Sequence, residues 1–236
     1  MAVVVVMPTY NERDNIERMA RAVTARPSRP RLLVVDDGSP DGTAEIVTKL
    51  AEELPDQISL LVREAKSGLG RAYAAGFAVA LADFNPDAVV QMDADGSHDP
   101  ADIDRLVAAL DTADLALGSR YMPGGGTVGW SRSREALSRG GNIYARLLLH
   151  TPLRDLTGGF KAWRSDLLRK MDAATTASDG YAFQIEMTMR ARAAGATIVE
   201  VPIVFRERVA GASKMSSRIA IEALRGVPAM RRYNPK

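Results

Sequence analysis

Val89-Val90-Gln91-Met92-Asp93-Ala94-Asp95-Gly96-Ser97 is an apolar run that ends abruptly in two carboxylates, spaced i, i+2. A short apolar run bounded by turn residues reads as a buried strand, and on a strand that spacing puts both side chains on the same side. Two carboxylates at the end of a buried strand are costly unless something cationic sits between them. A hard divalent ion carrying a diphosphate meets that need, so Asp93 and Asp95 are read as metal ligands. Surface carboxylates would give the same letters, but not directly after four residues of buried type.

The same punctuation recurs along the first half. Residues 2–7, 31–35, 58–63 and 115–118 read as further buried strands. Helices are predicted over a stripe of Ile16, Met19, Ala20 and Val23 capped by Thr9 or Asn11, over 43–54, over 70–83, and over 101–110 with Pro100 opening it and Asp99 as cap. Alternating apolar strands and helices predict an α/β fold with a mainly parallel sheet flanked by helices. In such sheets ligands bind outside the carboxyl ends of the strands. The polar clusters fall there: residues 8–12, 36–41, 93–97 and 119–121.

Composition narrows the class. The chain has 236 residues, 46% hydrophobic and 25% charged, as in an ordinary soluble globular protein. It has no cysteine, which excludes disulfides and thiolate metal sites and fits a reducing cytosol. No stretch approaches the roughly 20 apolar residues that span a bilayer. Residues 1–7 are too short for a signal peptide and lack its basic flank. The two histidines, His98 and His150, have no metal-ligand spacing, and no Ser/His/Asp nucleophile constellation is present. Net charge is +2 but uneven: residues 1–119 carry 11 Lys/Arg against 20 Asp/Glu, and residues 120–236 carry 20 against 9. Two oppositely charged halves that attract each other would explain this. So would an acidic half that holds metal and a basic half that faces a phosphate-rich partner.

Several stretches admit two readings. Tyr10, in Pro8-Thr9-Tyr10-Asn11-Glu12, offers a flat face for a nucleobase or ribose, or the stretch is a turn with a cap. In Asp36-Asp37-Gly38-Ser39-Pro40-Asp41-Gly42, Asp37 is given the ligand role and Asp41 a structural one. Lys66-Ser67-Gly68-Leu69-Gly70 is a weak glycine loop, read as close packing near the ligand or as direct contact with it. Arg120 stands just past a strand end, followed by Arg132, Arg134 and Arg139; this is an anion-binding groove or a solvated basic face. Residues 123–130 form a Gly-rich loop, 137–149 and 183–194 read as helices, and 155–163 as extended. Residues 197–206 read as an edge strand interrupted by Pro202. Gly211-Ala212-Ser213-Lys214 suits a closing loop or an ordinary surface loop. Ile143, Leu147, Leu148 and Leu149, beside Arg139 and Arg146, suit an interfacial helix or a core helix. Residues 219–232 likewise suit a lipid or partner surface.

These stretches together resemble the family 2 glycosyltransferases, and within them the dolichol- or polyprenol-phosphate mannose synthases. The match rests on Pro8-Thr9-Tyr10-Asn11-Glu12, on Val35 to Thr43, on Met92-Asp93-Ala94-Asp95 and on Gly118-Ser119-Arg120-Tyr121. It continues through Gly124-Gly125-Gly126 to Trp130, Ser138-Arg139-Gly140, Asp155-Leu156-Thr157-Gly158-Gly159-Phe160, Gly180 to Glu186, and Arg208 with Gly211 to Lys214. Departures occur at Gly38, Gly96-Ser97, Gly159, Lys161 and Ala212. The resemblance implies a GT-A fold, with a Rossmann-like sheet, in a single domain over 1–236. Residues 1–119 would serve the nucleotide sugar and metal, and 120–236 the acceptor. It implies GDP-mannose as donor, bound by Pro8, Tyr10, Glu12, Val35, Asp37, Asp93, Ala94, Asp95, Arg208 and Lys214. Mg or Mn would sit at Asp93 and Asp95, with Arg120 and Arg134 holding the phosphate of a polyprenyl phosphate acceptor. The catalytic set is then Asp93, Asp95, Arg120 and Arg134.

A phosphate monoester, with second pKa about 6, is already largely ionised at neutral pH, so no catalytic base is required. In-line displacement would invert the sugar linkage. The expected location is cytoplasmic, peripheral on the cytoplasmic face of the membrane, with an integral-membrane anchoring protein as a further partner and no nucleic acid. A polyprenyl-phosphate glucosyltransferase using UDP-glucose, and transfer to a soluble hydroxyl acceptor, are the alternatives.

Overall fold

The computed structural model describes residues 1–176, 180–207 and 226–233. The first half alternates as the sequence predicts: β1 (Val3–Thr9), α1 (Arg13–Thr24), β2 (Arg31–Asp36), α2 (Thr43–Glu53), β3 (Ile58–Val62), α3 (Leu69–Val79), β4 (Ala88–Gln91), α4 (Asp102–Ala109) and β5 (Leu115–Ser119). Helix α3 widens into a π turn over Ala80–Phe84. The second half adds β6 (Gly126–Val128), α5 (Arg132–Leu148), β7 (Lys161–Arg164), α6 (Ser165–Lys170), α7 (Gly180–Ala193), β8 (Ile198–Pro202), β9 (Val204–Arg206) and a 3₁₀ segment, Val227–Tyr233.

Among the described residues, seven strands form one sheet in the order β3-β2-β1-β4-β7-β5-β8. β1 pairs in parallel with both β2 and β4, so the strand order reverses between them. A doubly wound sheet opens a crevice at that switch point, beyond the carboxyl ends of the strands. β7 runs antiparallel to both of its neighbours, β4 and β5. A strand from the second half therefore fills an interior place in the sheet, beside the central β4. Pro202 ends β8 at the sheet margin, and β9 then pairs in parallel with β6, from the Gly-rich stretch, in a separate two-stranded sheet.

The near-continuous apolar strands bury both faces. Val3, Val5 and Met7 pack with Ile16, Met19, Val47, Leu50 and Leu106 of α1, α2 and α4. Val4 and Val6 point the other way, toward Tyr73 and Phe77 of α3 and Phe183 of α7. This alternation is the period-two geometry of a strand between two helical layers. Helix α3 lies close on the sheet because Gly76 has no side chain: a Cβ there would stand 2.3 Å from Val6 Cγ1 and 2.9 Å from Val35 Cγ2.

Local differences from the sequence reading have physical causes. Neither Thr9 nor Asn11 caps α1. Glu12 holds the N-cap position without a side-chain cap bond, Thr9 Oγ1 donates to Asp36 Oδ1 (2.8 Å), and Asn11 takes φ 57°. Helix α5 begins five residues before Leu137, because Ser131 caps it by accepting from the Arg134 N–H (3.3 Å). Leu149 belongs to the core and Leu148 is half-buried, whereas Ile143 and Leu147 are exposed. Of residues 219–232, those before Gly226 lie outside the described residues.

Candidate active site

The polar clusters converge where the strands end. At β2, the side chain of Asp36 organises two loops: its Oδ1 accepts from Thr9 Oγ1 (2.8 Å) and Ser39 Oγ (2.6 Å), and its Oδ2 from the Ser39 N–H (2.8 Å). Asp37 turns to the next loop, where Arg63 Nη1 donates to its Oδ1 at 2.7 Å and the Ser67 N–H approaches its Oδ2 at 3.4 Å. Arg63 Nη2 also bonds Ser67 Oγ. Lys66 Nζ sits 4.2 Å from the centroid of the Tyr10 ring. The Lys66–Gly70 loop thus closes over Tyr10 and Asp37 instead of standing apart from them. Val35 and Ala94 are buried, Glu12 Oε2 accepts from Asn15 Nδ2 (3.0 Å), and Pro8 is half-buried at the end of β1. Asp41 carries the structural role: its Oδ1 accepts from the Thr43 N–H (3.0 Å) and hydroxyl (2.6 Å) at the start of α2.

Asp93 and Asp95 follow β4, but the strand stops at Gln91, so strand alternation does not align them. They are gathered by a turn. Asp95 Oδ1 accepts from the Ser97 N–H (3.0 Å), Gly96 takes φ 78°, and His98 Nδ1 accepts from the Asp93 N–H (3.2 Å). From the helical layer below, Tyr73 donates its hydroxyl to Asp93 Oδ1 (2.9 Å). Burial first, and then the Asp93 charge, push the Tyr73 phenol well above its ordinary value, so it stays a donor. Burial lowers the His98 pKa, and its ring stacks on Phe160 at 4.8 Å. With Nδ1 accepting, the neutral ring carries its proton on Nε2; this tautomer is inferred from the bond network. Sequence reasoning missed Tyr73, which looks like one more apolar position on a helix of small residues.

Gln91 Oε1, Ser97 Oγ, His98 Nε2 and Trp130 Nε1 are buried with no hydrogen-bond partner among the described residues. Buried polar atoms without partners are uncommon in a native protein; these four lie on the segment of the two carboxylates and on the neighbouring basic loop, whereas Ser28 Oγ, Trp163 Nε1 and Ser165 Oγ, also without partners, lie elsewhere. No three His, Asp or Glu side chains form a ready cation cage among the described residues. Two carboxylates with a spare hydroxyl suit a hard cation that takes its remaining oxygens from a diphosphate and water. The residues present fit such an ion.

On the far side, Arg120 follows β5 and is buried. Its Nε and Nη2 donate to the two oxygens of Asp155, each at 2.7 Å, and Nη2 also donates to Thr157 Oγ1 (2.8 Å). Its backbone N–H donates to Asp155 Oδ2 as well (3.0 Å). The guanidinium is framed by Tyr121, Trp130 and Phe205, at 5.2, 5.5 and 5.6 Å from the ring centroids. Burial alone would raise the Asp155 carboxyl, but the charge and hydrogen bonds of Arg120 outweigh it and hold that carboxyl below the usual range. Arg120 is therefore a fixed charge inside the wall, not an open side chain at a strand end.

Arg134 lies 4.2 Å over Trp130 and donates through Nη1 to both oxygens of Glu207 at 2.6 Å, a half-exposed pair. The structure thus joins Arg120 and Arg134 through one indole. Phe205, edge-on to both His98 and Trp130, links that indole to the turn beside Asp93. Arg208 and Lys214 lie outside the described residues.

The sequence model for glycosyl transferase family 2 matches residues 4–172. The chain belongs to this family. It is 46% identical over 221 residues to the polyprenol monophosphomannose synthase of Mycolicibacterium smegmatis, covering 93% of this chain and 83% of that protein. It is 45% identical over 224 residues to the undecaprenyl-phosphate mannosyltransferase of Micrococcus luteus, covering 95% and 91%. Its fold matches a crystal structure of glucosyl-3-phosphoglycerate synthase from Mycobacterium tuberculosis in complex with Mn2+, UDP and glucosyl-3-phosphoglycerate. There the TM-score is 0.69 at 20% identity, over 99% of this chain and 80% of that one. This family 2 glycosyltransferase has the GT-A fold, and no helix among its described residues is long and apolar enough to cross a membrane.

Proposed function

We propose that this enzyme transfers mannose from GDP-mannose to a polyprenyl phosphate with inversion, giving a β-mannosyl phosphate lipid. The observation that carries the reading is its similarity, over nearly the whole chain, to two proteins whose names specify mannose and a polyprenyl lipid. The geometry supports it by setting an acidic turn and a basic wall on either side of His98 and Phe205. The chain acts as one domain, its first half taking the donor and its second half the acceptor.

On the donor side, Pro8, Tyr10, Glu12, Val35, Asp37 and Ala94 line the nucleotide, joined by Arg208 and Lys214. Asp93 and Asp95 hold Mg or Mn, which when bound compensates the charge of the diphosphate. Tyr73 and His98 fix the orientation of Asp93 through its carboxylate and its backbone N–H. On the acceptor side, the pair between Arg134 and Glu207 is solvent-facing, and such pairs contribute little. A phosphate dianion competes with Glu207 for that guanidinium, because an arginine fork binds phosphate oxygens in two parallel hydrogen bonds. Arg120, locked by Asp155, supplies a stationary positive field behind it. The acceptor oxygen is already ionised, so the residues position and stabilise charge and need take no proton. The lipid acceptor places the enzyme peripherally on the cytoplasmic membrane face.

A transfer assay tests the reading. Radiolabelled GDP-mannose and UDP-glucose are offered in turn to short polyprenyl phosphates, with and without EDTA. The expected result is mannosyl lipid only, lost with EDTA, and strongly reduced by Asp95→Asn and by Arg134→Ala. Glucose transfer, transfer to a soluble alcohol, or indifference to EDTA would overturn it. An α-linked product, identified by the anomeric NMR coupling, would overturn the inversion.

A further inference from the structure

Gln184, in the second turn of α7, is only 3% exposed. Its backbone carbonyl accepts from Lys161 Nζ (2.7 Å) and Thr188 Oγ1 (3.0 Å), and its side-chain Oε1 accepts from Gln91 Nε2 (2.7 Å). Gln91 and Lys161 face each other across β4 and β7, so both ends of the residue are fastened to the interior of the sheet. Its Nε2 donates to nothing among the described residues. Buried polar groups are paired in the great majority of cases, so this NH2 marks a place for an oxygen from outside the chain.

The direction of the amide follows from its neighbours. Tyr73 gives its proton to Asp93 Oδ1, which leaves the phenol oxygen to accept. Burial and the two aspartates push the phenol pKa up; the Gln91 amide beside it pulls the other way, as a donor does. Gln91 therefore turns its NH2 to Tyr73 and Gln184 alike. Gln184 answers with its oxygen, and its own NH2 faces away; this orientation is inferred from the bond network.

Gly159 shows what that NH2 faces. A Cβ there would stand 3.2 Å from Asp93 Oδ2, 3.5 Å from Gln184 Nε2 and 3.6 Å from His98 Cε1. Gly159 does not take a positive φ, so what glycine contributes here is space. Gly159 and Asp93 are both half-buried, and the gap they border opens on the cleft. Asp93 stands on one side of it. On the other is the loop whose Thr157 accepts from Arg120 Nη2 (2.8 Å). The gap thus lies between the acidic turn and the basic wall.

The groups around it are suited to give hydrogen bonds, not to take a proton. Gln184 offers N–H bonds, and its oxygen is engaged. His98 turns a ring C–H toward the gap while its Nδ1 accepts from the Asp93 N–H. Asp93 is a cation ligand in the proposed function. A hydroxyl nucleophile needs a base within hydrogen-bond reach as it attacks. A phosphate oxygen brings its own charge and needs donors. The geometry points to Gln184 Nε2 as a donor to an oxygen of the acceptor phosphate, holding it beside Asp93 and favouring a nucleophile that arrives already ionised. This rests on the phosphate acceptor of the proposed function, and it names the residue at the junction of donor and acceptor. The amide has two hydrogens, so one can face the phosphate and the other Asp93 Oδ2, keeping the two anions apart.

Calorimetric titration of geranyl phosphate, a short soluble prenyl phosphate, into the full chain with GDP and Mg2+ present reads this contact without turnover. Gln184→Ala should bind it about tenfold more weakly, as expected for a hydrogen bond to a charged group. Geraniol, which lacks the phosphate, should bind both proteins alike. Gln184→Glu keeps an oxygen for Gln91 and replaces only the NH2. A merely structural role would be rescued by that change. A donor role is worsened, because a carboxylate then faces the phosphate, and the loss should reach about a hundredfold. In the transfer assay Gln184→Ala should raise KM for the lipid phosphate about tenfold and leave KM for GDP-mannose within about twofold.

Wild type that fails to bind geranyl phosphate would overturn the phosphate-acceptor reading together with this inference. Wild type that binds it no more tightly than Gln184→Ala would overturn this inference alone. So would wild-type affinity in Gln184→Glu, or an equal loss of geraniol binding. A rise in KM for GDP-mannose in place of the lipid phosphate would also overturn it, and would give the amide to the sugar.

Discussion

Replacing Asp155 by alanine removes both carboxylate oxygens that grip Arg120 and leaves its charge inside the wall. Asp155 is 0% exposed and Arg120 4%, so water cannot take over the lost partner without opening the site. Two 2.7 Å bonds to the guanidinium and one to the Arg120 backbone disappear together. The rings of Tyr121, Trp130 and Phe205 remain, but such cation–ring contacts contribute only about 0.5–2 kcal/mol. Breaking one side of a buried ion pair costs roughly 3–5 kcal/mol. For a chain of this size that lowers Tm by about 6–20 °C. Urea unfolding followed by the fluorescence of Trp130 and Trp163 measures it, because one indole borders the pair and the other is in the core. The double variant Arg120→Met/Asp155→Leu should regain most of the stability while losing transfer, since both charges then vanish. Glu207→Ala, which frees the exposed partner of Arg134, should cost under about 1 kcal/mol. A cost below about 1 kcal/mol for Asp155→Ala, or a double variant no more stable than the single, would refute the reasoning that Arg120 is a locked charge.

Three further expectations follow from buried groups. Lys161 is fully buried, its Nζ donating to Gln184 O (2.7 Å) and Thr188 Oγ1 (3.1 Å), and burial pushes its pKa down to about 7 against the opposing pull of Asp155. Between about 7 and the ordinary value of 10.5 the unfolded chain binds the proton and the folded one does not. The Lys161 contribution to stability therefore rises with pH across that window and is lost as pH falls through about 7. The gap in urea midpoint between wild type and Lys161→Met should shift accordingly from pH 7 to 9.5, and a pH-independent gap would contradict this. Tyr73→Phe removes a buried donor to Asp93; Mn2+ titration should show affinity lowered by about tenfold or more with the fold intact by circular dichroism. Gly76→Ala drives a methyl into Val6 and Val35, and thermal unfolding should report a loss of about 1–3 kcal/mol.

The layered α/β arrangement was readable because apolar strands end in polar turns at regular intervals, and each such turn lies at the carboxyl end of a strand. Asp93 and Asp95 stood out for the same reason. What escaped were pairings between distant residues. Arg120 and Asp155 are 35 residues apart, and Arg63 and Asp37 are 26 apart, so no local pattern joins them. Asp36 and Asp37 are adjacent and chemically identical in sequence, and only the surrounding loops decide that Asp36 braces the turn. Nothing in Lys161-Ala162-Trp163-Arg164 signals a buried lysine, yet the carbonyl of Gln184 and the hydroxyl of Thr188 accept its protons inside the core. The first turn of α5, Arg132 to Glu135, carries no apolar periodicity, so its start was placed at Leu137; the cap at Ser131 was the overlooked signal.

The place of β7 in the sheet also sets an order of events during synthesis. β4 and β5 are made early, yet each lacks a neighbour until residues 161–164 leave the ribosome and slot between them. A nascent chain halted before that point presents one bare edge of β4 and both edges of β5, whose other partner β8 is made later still, a natural substrate for chaperones and for aggregation. The amino-terminal half is for that reason a poor candidate for excision as a portable nucleotide-binding module, however complete its motifs look.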